Sequence, residues 1–148
     1  MLKERLHKMA THFFTSIMLV VMTFGGQAMA AQLGQATPDQ LLTAQADGVV
    51  IIDIRLEDEW RSTGIINGSE TITAFMANGQ IHPEFITKFQ TAVPTQDTPV
   101  MLYCRTGNRT TTLGNALIQQ LGYNQVSHLS HGITGWVGTG QDTTPYKP

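Results

Sequence analysis

Cysteine occurs once in this chain of 148 residues, at position 104. A single cysteine excludes a disulfide within the chain, and with no cysteine near residue 30 a lipid anchor on such a residue is excluded too. Charge is also sparse. Asp, Glu, Lys and Arg together make up 14%, and the formal net charge is −2. No run of basic residues exists, which argues against nucleic acid or an anionic membrane surface as a partner. The chain has no internal repeat and no linker long enough to separate two domains. Its length suits one domain.

The longest apolar stretch is FFTSIMLVVMTF, residues 13–24. It falls short of the ~20 residues a spanning helix needs. It follows a basic start (Lys3, Arg5 and Lys8, diluted by Glu4) and precedes AMA at 28–30. Charged start, short apolar core and small-residue exit are the order of a cleavable secretory signal. The expectation is therefore a signal peptide at 1–30, a folded domain at 31–148 and a periplasmic or secreted product with no membrane association after cleavage. Removing 1–30 takes away three of nine basic and one of eleven acidic side chains, which leaves a net charge of −4. Such a chain is long enough to bury a core unaided.

Residues 31–36 read as a short leader. A helix follows from Pro38, with Thr37 as cap and Gln40 completing a capping box. VVIIDI, 49–54, is a short β-branched run that reads as a strand buried on both faces. LEDEWRST, 56–63, reads as a helical turn stopped at Gly64, and Asn67-Gly68 as a turn before a short strand at 71–75. Residues 82–93 read as a helix with Phe85, Ile86 and Phe89 on one face and Pro94 as its stop. VMLYC, 100–104, is a second buried strand. Residues 108–121 form a helix with Leu113, Leu117 and Leu121 at intervals of four and Gly122 as terminator. QVSHL, 125–129, is the last strand, and GITGWV, 132–137, a glycine-rich turn anchored by Trp136 before a polar tail. Apolar strands alternating with helices predict a single α/β domain, a central mainly parallel sheet flanked by helices.

Ligands in such sheets bind beyond the carboxyl ends of the strands. Cys104 ends a predicted central strand, and RTGNR lies between it and the next helix. A short loop running into a helix N-terminus aims successive backbone N–H groups at one point and so makes an anion cradle. Gly107 gives the loop conformational freedom. Arg105 and Arg109 add full positive charge, and Thr110, Thr111 and Thr112 add hydroxyl donors. That field favours a thiolate, a persulfide anion or an incoming oxyanion. It is the setting of a nucleophilic cysteine rather than of an inert buried one.

CRTGNR followed by a hydroxyl residue resembles the active-site loop of rhodanese domains, the sulfurtransferases. VVIIDIRLEDEW resembles the family's opening strand, GIINGSETI its glycine-x-isoleucine-x-glycine-small segment, and HGITGW its closing turn. The four pieces stand in the family's order over residues 49–138. The resemblance implies that Cys104 carries the sulfane sulfur and that Arg105, Thr106, Gly107, Asn108, Arg109 and Thr110 form the substrate-binding cradle. It places Asp53 as a supporting residue that either pairs with a loop arginine or caps the strand end. Arg55 and Glu59 read as a structural pair, and Trp60 and Trp136 as core anchors. Two positions depart from the family: Ile65 stands where histidine is usual, and His131 where a glycine is usual, which puts an imidazole near the pocket rim. His128 and His131 are only two histidines, three apart, and the strand context of the first separates their side chains, so they are weak as metal ligands and no metal is expected.

The implied activity moves sulfur from a donor such as thiosulfate to cyanide or a thiol, with no cofactor. The partners are then a small-molecule donor and acceptor, with a thiol protein as a further acceptor. Alternatives are a sulfur carrier loaded by a partner protein, a phosphatase or arsenate reductase, and an inactive anion- or partner-binding module. Loop length separates the phosphatases: their loop has one more residue between cysteine and arginine, whereas here Arg109 stands five after Cys104 and position 110 is threonine.

Overall fold

The computed structural model describes residues 30–148. The expected signal segment, apart from Ala30, lies outside the described residues. Five strands form one parallel sheet: β1 (Gly34–Ala36), β2 (Val50–Asp53), β3 (Glu70–Thr71), β4 (Val100–Tyr103) and β5 (Val126–Leu129). Their order is β1-β5-β4-β2-β3. The helices are α1 (Pro38–Ala46), α2 (Glu57–Thr63), α3 (Phe85–Ala92), α4 (Asn108–Leu121) and α5 (Gly132–Gly138). From β2 the chain steps to β3 on one side, then crosses to β4 on the other. The order in which strands are added reverses between β2 and β4, and a crevice opens beyond the carboxyl ends at such a switch point.

Side chains alternate across each strand, so successive residues feed two cores. Ile52, Leu102 and Val126 pack with Phe85 and Phe89 of α3 and with Leu113 and Leu117 of α4. Ile51, Met101, Tyr103 and Leu129 pack with Leu41 of α1 and with Ile133 and Trp136 of α5. The result is a three-layer α/β/α domain. Thr37 caps α1 in a full capping box with Gln40, as the sequence predicts.

Four elements differ from expectation by more than one residue. The supposed leader contains β1, an edge strand laid parallel to β5. Its Gly34 passes so close that an added Cβ would stand 3.0 Å from the Ser127 Cβ, and such a close approach favours glycine over the β-branched residues that mark a strand in sequence. The closing turn is a helix, α5. Its glycines lower helix propensity, but Ile133 and Trp136 are both buried and hold it against the sheet. The strand expected at 71–75 is only Glu70–Thr71, and the helix expected from 82 begins at Phe85, after a turn closed by the Phe85 N–H to the His82 carbonyl. Within α3, Phe85 and Phe89 are fully buried, whereas Ile86, one residue and so about 100° round the axis, is 38% exposed.

Candidate active site

β4 ends at Tyr103, one residue earlier than expected, and Cys104 stands just beyond it, 1% exposed. Residues 104–107 turn sharply, and α4 begins at Asn108. The turn requires Gly107. Its φ is +97°, and an added Cβ would collide with the Ser130 carbonyl oxygen. Its N–H points back at Cys104 Sγ, 3.2 Å away. The N–H groups of Arg105, Thr106, Asn108 and Arg109 have no acceptor among the described residues, so the loop and the first turn of α4 leave several backbone donors open. A second glycine fixes the loop from behind. Gly132, with φ of +55°, lets the start of α5 lie against the Cys104 and Arg105 carbonyls, where a Cβ would not fit. Those carbonyls accept from the N–H groups of Ile133 (2.9 Å) and Thr134 (3.1 Å). These two bonds hold the loop that carries the Gly107 N–H to the sulfur.

The charged residues pair differently from the sequence expectation. Asp53, fully buried, pairs with Arg55 rather than with a loop arginine. Arg55 Nε and Nη2 donate to its carboxylate at 2.7–3.1 Å, and the remaining guanidinium hydrogens reach the Thr63 hydroxyl and the Gly64 carbonyl. This pair ties the end of β2 to the far end of α2. Glu59, expected to pair with Arg55, instead takes both guanidinium nitrogens of Arg109, at 2.8 and 2.7 Å, across fifty residues of sequence. Nothing local in the sequence signals that pairing, since only the fold brings α2 over the start of α4. Glu59 also accepts the Leu56 N–H at 3.1 Å.

The electrostatics follow this geometry. Burial pushes the Glu59 carboxyl up, but the hydrogen bonds from Arg109 and Leu56 and the charges of Arg109 and Arg55 outweigh it and hold the group below its ordinary 4.5. Arg109 is pushed up by the Glu59 hydrogen bonds, against partial burial, with the Glu59 charge and the neighbouring Cys104 sulfur acting in the same direction. Arg109 is thus bound to the carboxylate and near enough to the sulfur for the two charges to interact. A depressed carboxyl stabilises the fold above its unfolded pKa and loses that contribution as pH falls through the lower folded value. Glu59→Gln is therefore expected to lower the melting temperature at neutral pH, with the gap from wild type closing below pH 4.5. A gap that is the same at all pH values would remove the ion pair as its cause.

Two clefts of about 440 and 530 Å³ border the loop at Arg105, and Cys104 itself lines neither. Arg105 and Glu59 line both. Thr134 and Val137 of α5 wall the first, and Phe75, Met76 and Asn108 the second. Arg105 is exposed and has no acidic partner among the described residues, so it offers a free cation to both clefts. Thr106 is exposed on the loop, whereas Thr110 is fully buried, its hydroxyl 3.8 Å from Sγ. Of the expected site residues, Gly107 and Thr110 touch the sulfur, Arg109 pairs with Glu59, and Arg105, Thr106 and Asn108 are exposed on the loop and the first turn of α4, while Asp53 is buried against Arg55. His131 is exposed at the start of α5 and lines neither cleft. Among the described residues no group of three or more His, Cys, Asp or Glu side chains converges as a metal site would.

The sequence profile described as the rhodanese-like domain matches residues 37–139. The chain belongs to the rhodanese-like domain family. No curated protein matches it. Among solved structures, this rhodanese-like domain is similar to a thiosulfate sulfurtransferase from Pseudomonas aeruginosa (20% identity, TM-score 0.60), matching 74% of this chain but only 20% of that one. It is similar to the polysulfide-sulfur transferase homodimer of Wolinella succinogenes (16% identity, TM-score 0.58, 76% of this chain and 78% of that one). It is also similar to a protein of unknown function from Rhodopseudomonas palustris, called a possible tyrosine phosphatase (23% identity, TM-score 0.55, 76% of this chain and 85% of that one). At these identities the likeness establishes the fold. The choice of chemistry rests on the loop.

Proposed function

We propose that this rhodanese-like domain is a sulfurtransferase working through a persulfide on Cys104. The observation that carries the reading is the loop itself: a buried sulfur receiving the Gly107 N–H at 3.2 Å, inside a six-residue turn from Cys104 to Arg109 whose other amides are open. A ring of that size suits one sulfur on cysteine. A phosphate would need a larger ring of amides and an arginine clamp one position further along the loop, where this chain has Thr110.

The reaction is a double displacement. The Cys104 thiolate attacks the outer sulfur of thiosulfate. A sulfur–sulfur bond forms to the protein, the bond to the sulfonate breaks, and sulfite leaves with the electron pair. Cyanide or a thiolate then attacks the terminal sulfur, and the departing electron pair restores the Cys104 thiolate. The open amides and the positive charge of Arg105 and Arg109 steady the anion at each stage. Covalent catalysis of this kind splits one transfer into two, and the chemistry calls on no cofactor. Its kinetic signature is a set of parallel double-reciprocal lines when thiosulfate and cyanide are varied; intersecting lines would overturn it. Arg109→Ala is expected to lower kcat/KM for thiosulfate about 10- to 100-fold, the worth of one charge-assisted contact. It should lower stability by no more than ~1 kcal/mol, since the Glu59 pair is partly exposed. Unchanged kinetics would mean that the loop acts through its backbone alone.

The proposal includes export. The basic-then-apolar order of residues 3–30 is that of a cleaved signal, so the working domain is periplasmic or secreted and starts near Ala31. Its partners are a small sulfur donor and a thiophilic acceptor, among them a thiol protein.

A further inference from the structure

One buried titratable side chain has no task in the reaction just described. His128, on β5, is 3% exposed. Its Nδ1 lies 2.9 Å from the Thr110 hydroxyl, and its Nε2 is buried with no partner among the described residues. An aliphatic side chain would fill this place without that penalty, because a ring nitrogen buried without a partner forfeits its hydration. Burial pushes His128 below the ordinary histidine range, so the ring is neutral near pH 7 and carries one proton.

The other side of Thr110 faces the sulfur. The threonine has one hydroxyl proton and two takers besides the imidazole: the Gly107 carbonyl at 2.8 Å and Cys104 Sγ at 3.8 Å. The Gly107 carbonyl does not depend on it, since it already receives the Thr111 N–H and the Thr111 hydroxyl, each at 2.9 Å. We propose that His128 is a positioning residue for the catalytic sulfur: its Nδ1–H donates to the Thr110 oxygen and so leaves the Thr110 proton to turn onto the Cys104 thiolate. In the opposite tautomer Nδ1 would take that proton, and the sulfur would face a hydroxyl lone pair. No bond is made or broken, and each proton stays on its own heavy atom. The role assigned to the sulfur rests on the sulfurtransferase reading; the hydrogen-bond chain does not.

The test compares His128→Leu, His128→Asn, Thr110→Val and the His128→Leu/Thr110→Val double variant. Three quantities are read: the rate of Cys104 alkylation by iodoacetamide at fixed pH, kcat and KM with thiosulfate and cyanide, and the melting temperature. His128→Leu is expected to lower alkylation and kcat about tenfold, with KM for thiosulfate little changed and the melting temperature no lower. His128→Asn, whose amide N–H can stand where Nδ1–H stood, should recover most of the loss. Thr110→Val should match His128→Leu, and the double variant should be no worse than either single one. Wild-type alkylation in His128→Leu, or losses that multiply in the double variant, would overturn the proposal. Should His128→Leu fail to fold, Thr110→Val decides, since wild-type alkylation there also overturns it. Alkylation needs no sulfur transfer. A wild type that alkylates readily but takes no sulfur from thiosulfate would sink the sulfurtransferase reading and still leave His128 to be judged on the alkylation rates.

Discussion

Cys104→Ser is expected to abolish sulfur transfer while the fold survives. The loss in kcat should be on the order of 10³-fold or more, because a serine hydroxyl is neither ionised near neutral pH nor a soft nucleophile toward sulfur. The cradle itself should persist. Gly107 would still have an acceptor within reach, and Thr110 a hydroxyl neighbour, so the buried oxygen of the serine is not left unpaired. The melting temperature should move by only a few degrees, roughly what a change of 1 kcal/mol produces in a domain of this size. The check is thiocyanate formation from thiosulfate and cyanide, read beside a thermal melt. Residual turnover in a folded Cys104→Ser protein would remove the sulfur from the mechanism.

The largest expected effect on stability lies elsewhere, at Asp53→Ala. Arg55 is 1% exposed, and Asp53 is its only charged partner within salt-bridge distance among the described residues. Truncating the aspartate leaves a guanidinium buried without a counter-charge, which costs about 3–5 kcal/mol, a large share of the 5–15 kcal/mol that holds a typical domain together. Arg55 also ties α2 through Thr63 and Gly64, and α2 carries Glu59. The damage should therefore reach the site through Arg109, and activity should fall with stability. Urea unfolding of Asp53→Ala beside the double variant Asp53→Ala/Arg55→Met separates the causes. Partial recovery in the double variant is expected, because the unpaired charge is gone. A single variant as stable as wild type would show that the pair contributes nothing.

The cysteine loop was legible because its information is local. A buried strand, a glycine that must take a left-handed turn and a helix start lie within a few residues, and Gly107 and Asn108 fall where that reading puts them. The sheet core was legible for the same reason, since runs such as VVIIDI and VMLY are apolar on both faces. What escaped is non-local. β1 has no strand signal of its own and exists because β5 offers an edge. α5 contains three glycines and is held by Ile133 and Trp136 against the sheet. The ion pairs were exchanged for the same reason: along the chain Arg55 and Glu59 are neighbours, but the fold turns Arg55 back onto Asp53 and brings Arg109 to Glu59. His128 drew notice only as a weak metal ligand, because its partner Thr110 stands eighteen residues away in sequence.

The central claim is a persulfide on Cys104, and mass tests it most directly. The intact protein is weighed, incubated with thiosulfate and weighed again, then treated with cyanide and weighed once more. The account predicts a gain of one sulfur atom, about 32 Da, that cyanide removes and that Cys104→Ser never shows. No gain in a protein whose Cys104 is free and alkylates readily would contradict it.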